Sequence, residues 1–216
     1  MADLDALFSE IQSALRRYQP RLCAALLPHA VVVSGPFVCT SDEGAFDTFD
    51  IEMSVSALFP QKEPDLKEVA GRIPHSVARH VFPSSGRCCL GLWEGWLLKT
   101  DVADFESYLC GPVTSYFVSQ SVFEITGEWP FGEQGHETED IAATYAEALG
   151  LKDGADHRGL LRLLTAPFLS GNPLCPCGSR KRLRDCHWKW LRERRRRIHA
   201  SVRNEMARRL LKAAKE

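Results

Sequence analysis

The first regular pattern along the chain is helical. Leu4, Leu7, Phe8, Ile11, Leu15 and Tyr18 recur at helical spacing, and Pro20 follows as a stop. Residues 31–40 (VVVSGPFVCT) read as a strand with a Gly-Pro irregularity. The period then becomes two: Phe49, Ile51, Met53 and Val55 alternate with Asp50, Glu52, Ser54 and Ser56, which predicts an antiparallel strand with one wet face. Pro60, Pro64 and Gly71 around Leu66, Val69 and Ile73 predict a short strand between turns. Residues 75–100 carry no clean period. Phe105, Leu109, Val113, Tyr116 and Phe117 form an apolar face that Gly111-Pro112 interrupts, which predicts two helices or one kinked helix. TGEWPFGEQGH (126–136) reads as a loop. Ile141, Ala142, Tyr145, Ala146 and Leu149 predict a short amphipathic helix ending at Gly150. A further apolar helix is expected near 157–169. Residues 188–215 predict one long basic helix with a narrow stripe of Leu191, Ile198, Val202, Met206 and Leu210. There is no internal repeat.

With 44% hydrophobic and 25% charged residues among 216, the chain has enough apolar surface for an ordinary globular core and one small appendage. No stretch approaches the roughly 20 apolar residues of a membrane-spanning helix. The N-terminus, MADLDALFSE, has acidic residues before any basic one and no apolar run, so it does not read as a secretory signal. The eight cysteines are therefore expected in a reducing cytoplasm, where metal binding or catalysis fits better than a disulfide framework. Cys23, Cys39 and Cys110 sit in apolar contexts and are expected in the core.

The net charge of −1 conceals a split. Residues 1–171 hold 12 basic and 24 acidic side chains, and residues 172–216 hold 15 and 4. Such opposed fields attract each other, or the basic part meets an anionic partner.

Two constellations carry chemistry. In the first, Cys175 and Cys177 stand two residues apart, and Cys186 and His187 follow after eight intervening residues. Four N/S ligands at this spacing match a closed tetrahedral zinc site; Pro176 and Gly178 shape the turn, and neighbouring Lys and Arg favour thiolate. The pattern Asn-Pro-x-Cys-Pro-Cys-Gly-Ser, a basic run, then Cys-His resembles the SEC-C zinc motif at the C-terminus of the bacterial translocation ATPase SecA. It departs from that motif at Arg180, where glycine is usual. The resemblance implies a docking or recruitment module.

The second constellation is Gly71-Arg72-Ile73-Pro74, His80, Gly86-Arg87-Cys88-Cys89-Leu90-Gly91-Leu92, then Trp93 and Trp96. A cysteine in a Gly-containing turn after a His-bearing loop suits a reactive thiol, and two adjacent cysteines near aromatic residues also suit core packing. In order and context these segments, with Gly127-Glu-Trp-Pro-Phe-Gly-Glu-Gln-Gly-His136, resemble the ubiquitin-conjugating-enzyme (UBC) family and more closely its prokaryotic relatives, over about residues 1–150. That resemblance implies an α+β fold: an antiparallel meander of about four strands packed on helices, with Cys89 on the irregular segment after the last strand. It further implies transthiolation at Cys89, with His80 at the motif histidine. The usual asparagine after that histidine is absent, since Val81-Phe82 follow. Ser84, Ser85, His136 or a backbone N–H are the available oxyanion donors, and His136 is also a candidate proton shuttle.

The expected organisation is a UBC-like domain (1–150), a connecting helix (151–171), a zinc knuckle (172–188) and a basic C-terminal helix (189–216). The implied partners are a protein acyl donor or substrate, an activating enzyme and, by the prokaryotic resemblance, a cGAS-like nucleotidyltransferase in antiphage defence. Three other readings stay open. One is an inactive UBC-like adaptor. Another is a nucleic-acid binder using the Lys/Arg density of 180–212, although a solvated helix face accounts for the same residues. The last is a cysteine protease using Cys89 and His80, for which no orienting Asn or Asp is evident.

Overall fold

The computed structural model describes residues 4–130, 141, 145, 147 and 157–213. The chain divides into two compact units, one of residues 1–91 and 102–134, the other of 92–101 and 135–216.

The first unit is α+β. Helix α1 (Leu4–Tyr18) buries Leu7, Ile11, Ala14 and Leu15, the face its spacing predicts. Four strands follow in simple antiparallel order: β1 (Cys23–Leu26), β2 (Ala30–Ser41), β3 (Gly44–Ser56) and β4 (Asp65–Glu68). The alternation of 49–56 is obeyed, with Phe49, Ile51, Met53 and Val55 buried. The Gly-Pro irregularity leaves β2 in register, Gly35 opposite Ile51 and Pro36 opposite Asp50. Gly35 is required because its φ is 122° and a Cβ there would meet the Arg21 carbonyl oxygen at 3.0 Å.

After β4, helix α3 (Phe105–Tyr108) runs through a wide π turn (Leu109–Val113) into α4 (Thr114–Thr126). Pro112 has no N–H to donate, and the wider turn absorbs it while the Thr114 hydroxyl donates to the Leu109 carbonyl at 2.8 Å. Asp104 caps the start by accepting from the Ser107 N–H, and Gly127 in the left-handed region ends the helix. Phe117 of α4 is sealed between Phe37 and Phe49, with ring centroids 5.0 Å from each.

Two cysteines depart from expectation. Cys39 is buried, whereas Cys23 and Cys110 are exposed. Cys23 opens the short edge strand β1, none of whose four residues is buried, and Cys110 lies in the π turn between the buried Leu109 and Val113.

The second unit is helical. It holds α2 (Trp93–Lys99), α5 (His157–Thr165), α6 (Trp188–Arg197) and α7 (Ala200–Ala213), with α5 packing on both α6 and α7. Its core includes Leu98, Leu160, Leu161, Leu164, Leu191, Ile198, Val202 and Met206. The long C-terminal helix expected over 188–215 is instead two helices. Ile198 turns extended (φ −91°, ψ 117°), and the His199 ring accepts from the Ser201 N–H at the start of α7. Arg203 satisfies the carbonyls freed at the break, donating to Arg195 and Ile198 oxygens at 2.7 and 2.6 Å. The apolar stripe does not register this break, because Ile198 and Val202 remain buried on either side of it. Of the helix expected over 141–149, only Ile141, Tyr145 and Glu147 are described. No helix among the described residues is long and apolar enough to cross a membrane.

Candidate functional site

The Cys/His cluster is assembled almost entirely from local backbone. Leu174 and Arg182 form an antiparallel bridge, the Cys175 N–H donates to the Lys181 carbonyl and the Leu183 N–H to the Pro173 carbonyl, each at 2.8 Å. This clamp puts Cys175 and Cys177 opposite Cys186 and His187. Asn172 closes it: its side-chain oxygen accepts from the Arg184 N–H at 2.9 Å and its carbonyl from the Arg182 guanidinium at 3.2 Å. That role was not anticipated. An Asn ahead of a Cys-x-Cys turn was its sequence signal. Gly178 and Arg180 both take positive φ, 79° and 59°. Arg180 is thus held in the left-handed region that favours glycine, so the turn is made at the cost of some backbone strain.

The ligand atoms of Cys175, Cys177, Cys186 and His187 all lie within 4.8 Å of one another. The His187 Nδ1 is 3.2 Å from both Cys175 Sγ and Cys186 Sγ, and the Cys177 and Cys186 sulfurs are 3.5 Å apart. Bond lengths of about 2.3 Å to sulfur and 2.0 Å to nitrogen space tetrahedral ligands about 3.5–3.8 Å apart. The cluster is therefore of the right size and donor chemistry to bind a metal ion. Ser179 places its hydroxyl 3.3 Å from Cys186 Sγ as an outer partner. Burial and sharing of hydrogen bonds with Cys177 and Cys186 push the Cys175 thiol up to about 11. Burial opposes ionisation of Cys177 too, yet hydrogen bonds from Ser179 and the neighbouring thiols hold it down at about 6. Cys175 and Cys177 are thus driven in opposite directions, and a divalent cation would resolve that conflict by favouring thiolate at both.

The second constellation is built from distant parts of the first unit. Arg72 makes a two-pronged ion pair with Asp47 of β3 at 2.7 and 2.8 Å, reaches Glu124 of α4 at 2.6 Å and lies 4.2 Å over the Phe49 ring. Arg79 bonds Gln120 and Glu124, and the Gln120 amide donates back to the Arg79 carbonyl at 2.7 Å. Together they clamp the loop containing a 3₁₀ turn (Val77–Arg79) onto α4. The Arg72 pairing holds the Asp47 carboxyl down at about 2. These anchors explain the Gly-Arg-Ile-Pro segment, and the sequence had no means of naming their partners.

His80 ends the 3₁₀ turn in the left-handed region (φ 49°), and its ring stands edge-on to Trp129 at 4.6 Å, itself stacked on Phe123. The His80 carbonyl accepts from the Cys89 N–H at 2.8 Å and from the Tyr116 hydroxyl at 3.3 Å. Val81 bridges Cys88 in antiparallel fashion, and the turn between them carries the exposed Ser84 and Ser85. Gly86 has φ 68° and is overlain by the His75 ring, which any Cβ would meet at 2.7 Å. Cys88 is buried, and desolvation pushes its thiol up to about 11; Cys89 is half-buried. The backbone thus joins Cys89 and His80, on irregular chain beyond β4. His136 lies outside the described residues.

The basic C-terminal segment is used in part to finish other helices. Arg194 donates to the Leu98 carbonyl at the end of α2, and Arg195 to the Leu163, Leu164 and Ala166 carbonyls at the end of α5. Arg197 pairs with Asp101 and Glu193. Guanidinium groups suit this role, because several N–H donors in one plane reach several orphan carbonyls.

No protein-family model, curated protein or solved structure matches the chain.

Proposed function

We propose that the chain is a UBC-like thioester carrier whose nucleophile is Cys89, joined to a knuckle in which Cys175, Cys177, Cys186 and His187 hold one structural zinc ion. The observation that carries the first half is the division of labour at 88–89. Adjacent residues in extended chain point to opposite sides, and here Cys88 is buried while Cys89 is half-buried on the loop that follows a four-strand antiparallel meander.

In the proposed reaction the Cys89 thiolate attacks the activated carbonyl of a protein acyl donor held by an activating enzyme. The C–S bond forms and the donor's leaving group departs with a proton. An amine then attacks the thioester carbonyl, and the Cys89 thiolate leaves as the amide forms and the amine loses its proton. His80 is retained as a positioning residue at the base of the loop. A cGAS-like nucleotidyltransferase is the proposed acceptor in an antiphage setting, and the knuckle the recruiting element. Zinc suits the knuckle because the donor set is three sulfurs and one imidazole nitrogen, with no position left open for catalysis.

The test uses the chain with its activating partner and acyl donor. Wild type forms an adduct that reducing agent cleaves; Cys89→Ser converts it to a resistant ester and Cys89→Ala abolishes it, while Cys88→Ala retains it. A labile adduct on Cys89→Ala that Cys88→Ala lacks reverses the roles. One observation favours a second reading, an inactive adaptor. Two residues after His80, where the family's asparagine would support the oxyanion, stands Phe82, whose exposed apolar ring lies 4.9 Å from the Arg87 guanidinium. Absence of any adduct with both cysteines intact selects the adaptor.

A further inference from the structure

Several arginines of the helical unit are paired with carboxylates. Arg197 meets Glu193 and Asp101, and Arg208 and Arg209 meet Glu205. Four others converge without any. Trp188, Arg192, Arg195 and Arg196 of α6, Arg203 of α7 and Leu169 line an open cleft of about 300 Å³, and no carboxylate is among its described lining residues. Positions 188, 192 and 195–196 fall on one stripe of the helix, so these guanidiniums are gathered by the helical repeat and not by chance of a loop.

Two of the four cannot turn away. Arg195 is held by the carbonyls that end α5, extending to Pro167, and Arg203 by the carbonyls at the α6–α7 break. Burial and the nearby charge of Arg203 lower the Arg195 pKa below the usual arginine range. Like charges fixed this close are stabilised by an anion placed between them. Arg192 and Arg196 are exposed and make no ion pair among the described residues, so their donors remain available at the rim. The Trp188 ring supplies a flat wall, with Arg184 5.7 Å from its centroid. The cleft lies at the small end of the range for small-molecule sites, about 300–1,000 Å³.

We infer that this cleft binds a small ligand bearing two or more phosphate groups. Arg195 and Arg203 form its fixed floor, Arg192 and Arg196 close over the phosphates, and Trp188 contacts whatever the phosphates are attached to. The inference stands apart from the thioester reading, since it uses no residue of the Cys89 loop.

Titration calorimetry of the full chain with magnesium tripolyphosphate and magnesium ATP tests it, with metal content measured before and after to exclude chelation. Both ligands should bind, more weakly as salt rises. Arg192→Ala with Arg196→Ala should weaken both at least ten-fold without moving the thermal midpoint, because neither side chain makes a hydrogen bond or ion pair among the described residues. Trp188→Phe separates the sources. Loss of ATP affinity with tripolyphosphate unchanged points to a nucleoside phosphate, and equal effects point to an inorganic or non-aromatic polyphosphate. Absence of binding by both ligands at millimolar concentration overturns the inference, as does a double variant that binds like wild type. Binding of single-stranded oligonucleotide alone also overturns it, and assigns the cleft to nucleic acid.

Discussion

The two cysteine constellations are made by opposite means. In the Cys/His cluster, the backbone clamp, the Asn172 closure and all four candidate ligands fall within residues 172–187. In the Cys89 loop, the anchors of Arg72 lie 25 and 52 residues away, on β3 and α4. A local cluster forms whenever its own turn forms. The loop holds its shape only while the sheet and α4 are packed together. Reactivity at Cys89 should therefore track the stability of the first unit, and metal binding should not.

The largest effect is expected from Cys175→Ala with Cys186→Ala. Metal ligation and local folding are coupled, with apparent binding energies of about 10–16 kcal/mol in small zinc modules. Elemental analysis should show one zinc per chain falling to none, and amide exchange should rise over 172–190 while β2 and β3 stay protected. Lowering pH protonates the thiolates and should release the metal in the same way. Undiminished metal in the double variant shows that the ligands lie elsewhere.

Arg72→Ala should act on the other side of the comparison. The Asp47 carboxyl is held at about 2 in the folded protein against an ordinary 3.8. Its contribution is fully present above pH ~4 and is lost as pH falls towards 2, because the folded state must then take up a proton it resists. With Arg72 partly exposed, the discounted contribution is about 1–2 kcal/mol. Urea midpoints at pH 7 should drop for the variant, and the gap from wild type should narrow below pH 3. Adduct formation at Cys89 should fall with it while zinc content stays at one. Normal adduct formation in a destabilised variant would show that the loop does not depend on this anchor.

The smallest effect sharpens the knuckle's independence. Arg180 sits at φ 59°, a conformation that costs a side-chain-bearing residue about 1 kcal/mol. Arg180→Gly should relieve that strain and raise metal affinity a few-fold, less any gain in freedom of the unbound turn. Competition with a chromogenic chelator reads this directly, and weaker binding would mean that the arginine side chain contributes more than its backbone costs.

Much of the architecture was legible because it rests on local pattern. The period-two alternation of 49–56 and the spacing in α1 announce which faces are buried, and the Cys-Pro-Cys-Gly segment announces a tight turn between two candidate sulfur ligands. The kink at Gly111-Pro112 was foreseeable as a break but not as a π turn, since both outcomes accommodate a missing N–H. The split between α6 and α7 was not legible. Its apolar stripe continues across Ile198, and the carbonyls released there are satisfied by Arg203.

By itself the sequence picked out the Cys/His cluster as a candidate metal site, the α+β character of the first unit and the asymmetry of charge, because each follows from residues near one another in the chain. Tertiary structure alone decided which of the two adjacent thiols is buried, which partners hold Arg72, and which arginines finish helices or line a cleft, Arg195 and Arg203 doing both. Those outcomes depend on contacts between residues tens of positions apart, formed only when packing brings distant backbone carbonyls and carboxylates within hydrogen-bond reach of a guanidinium.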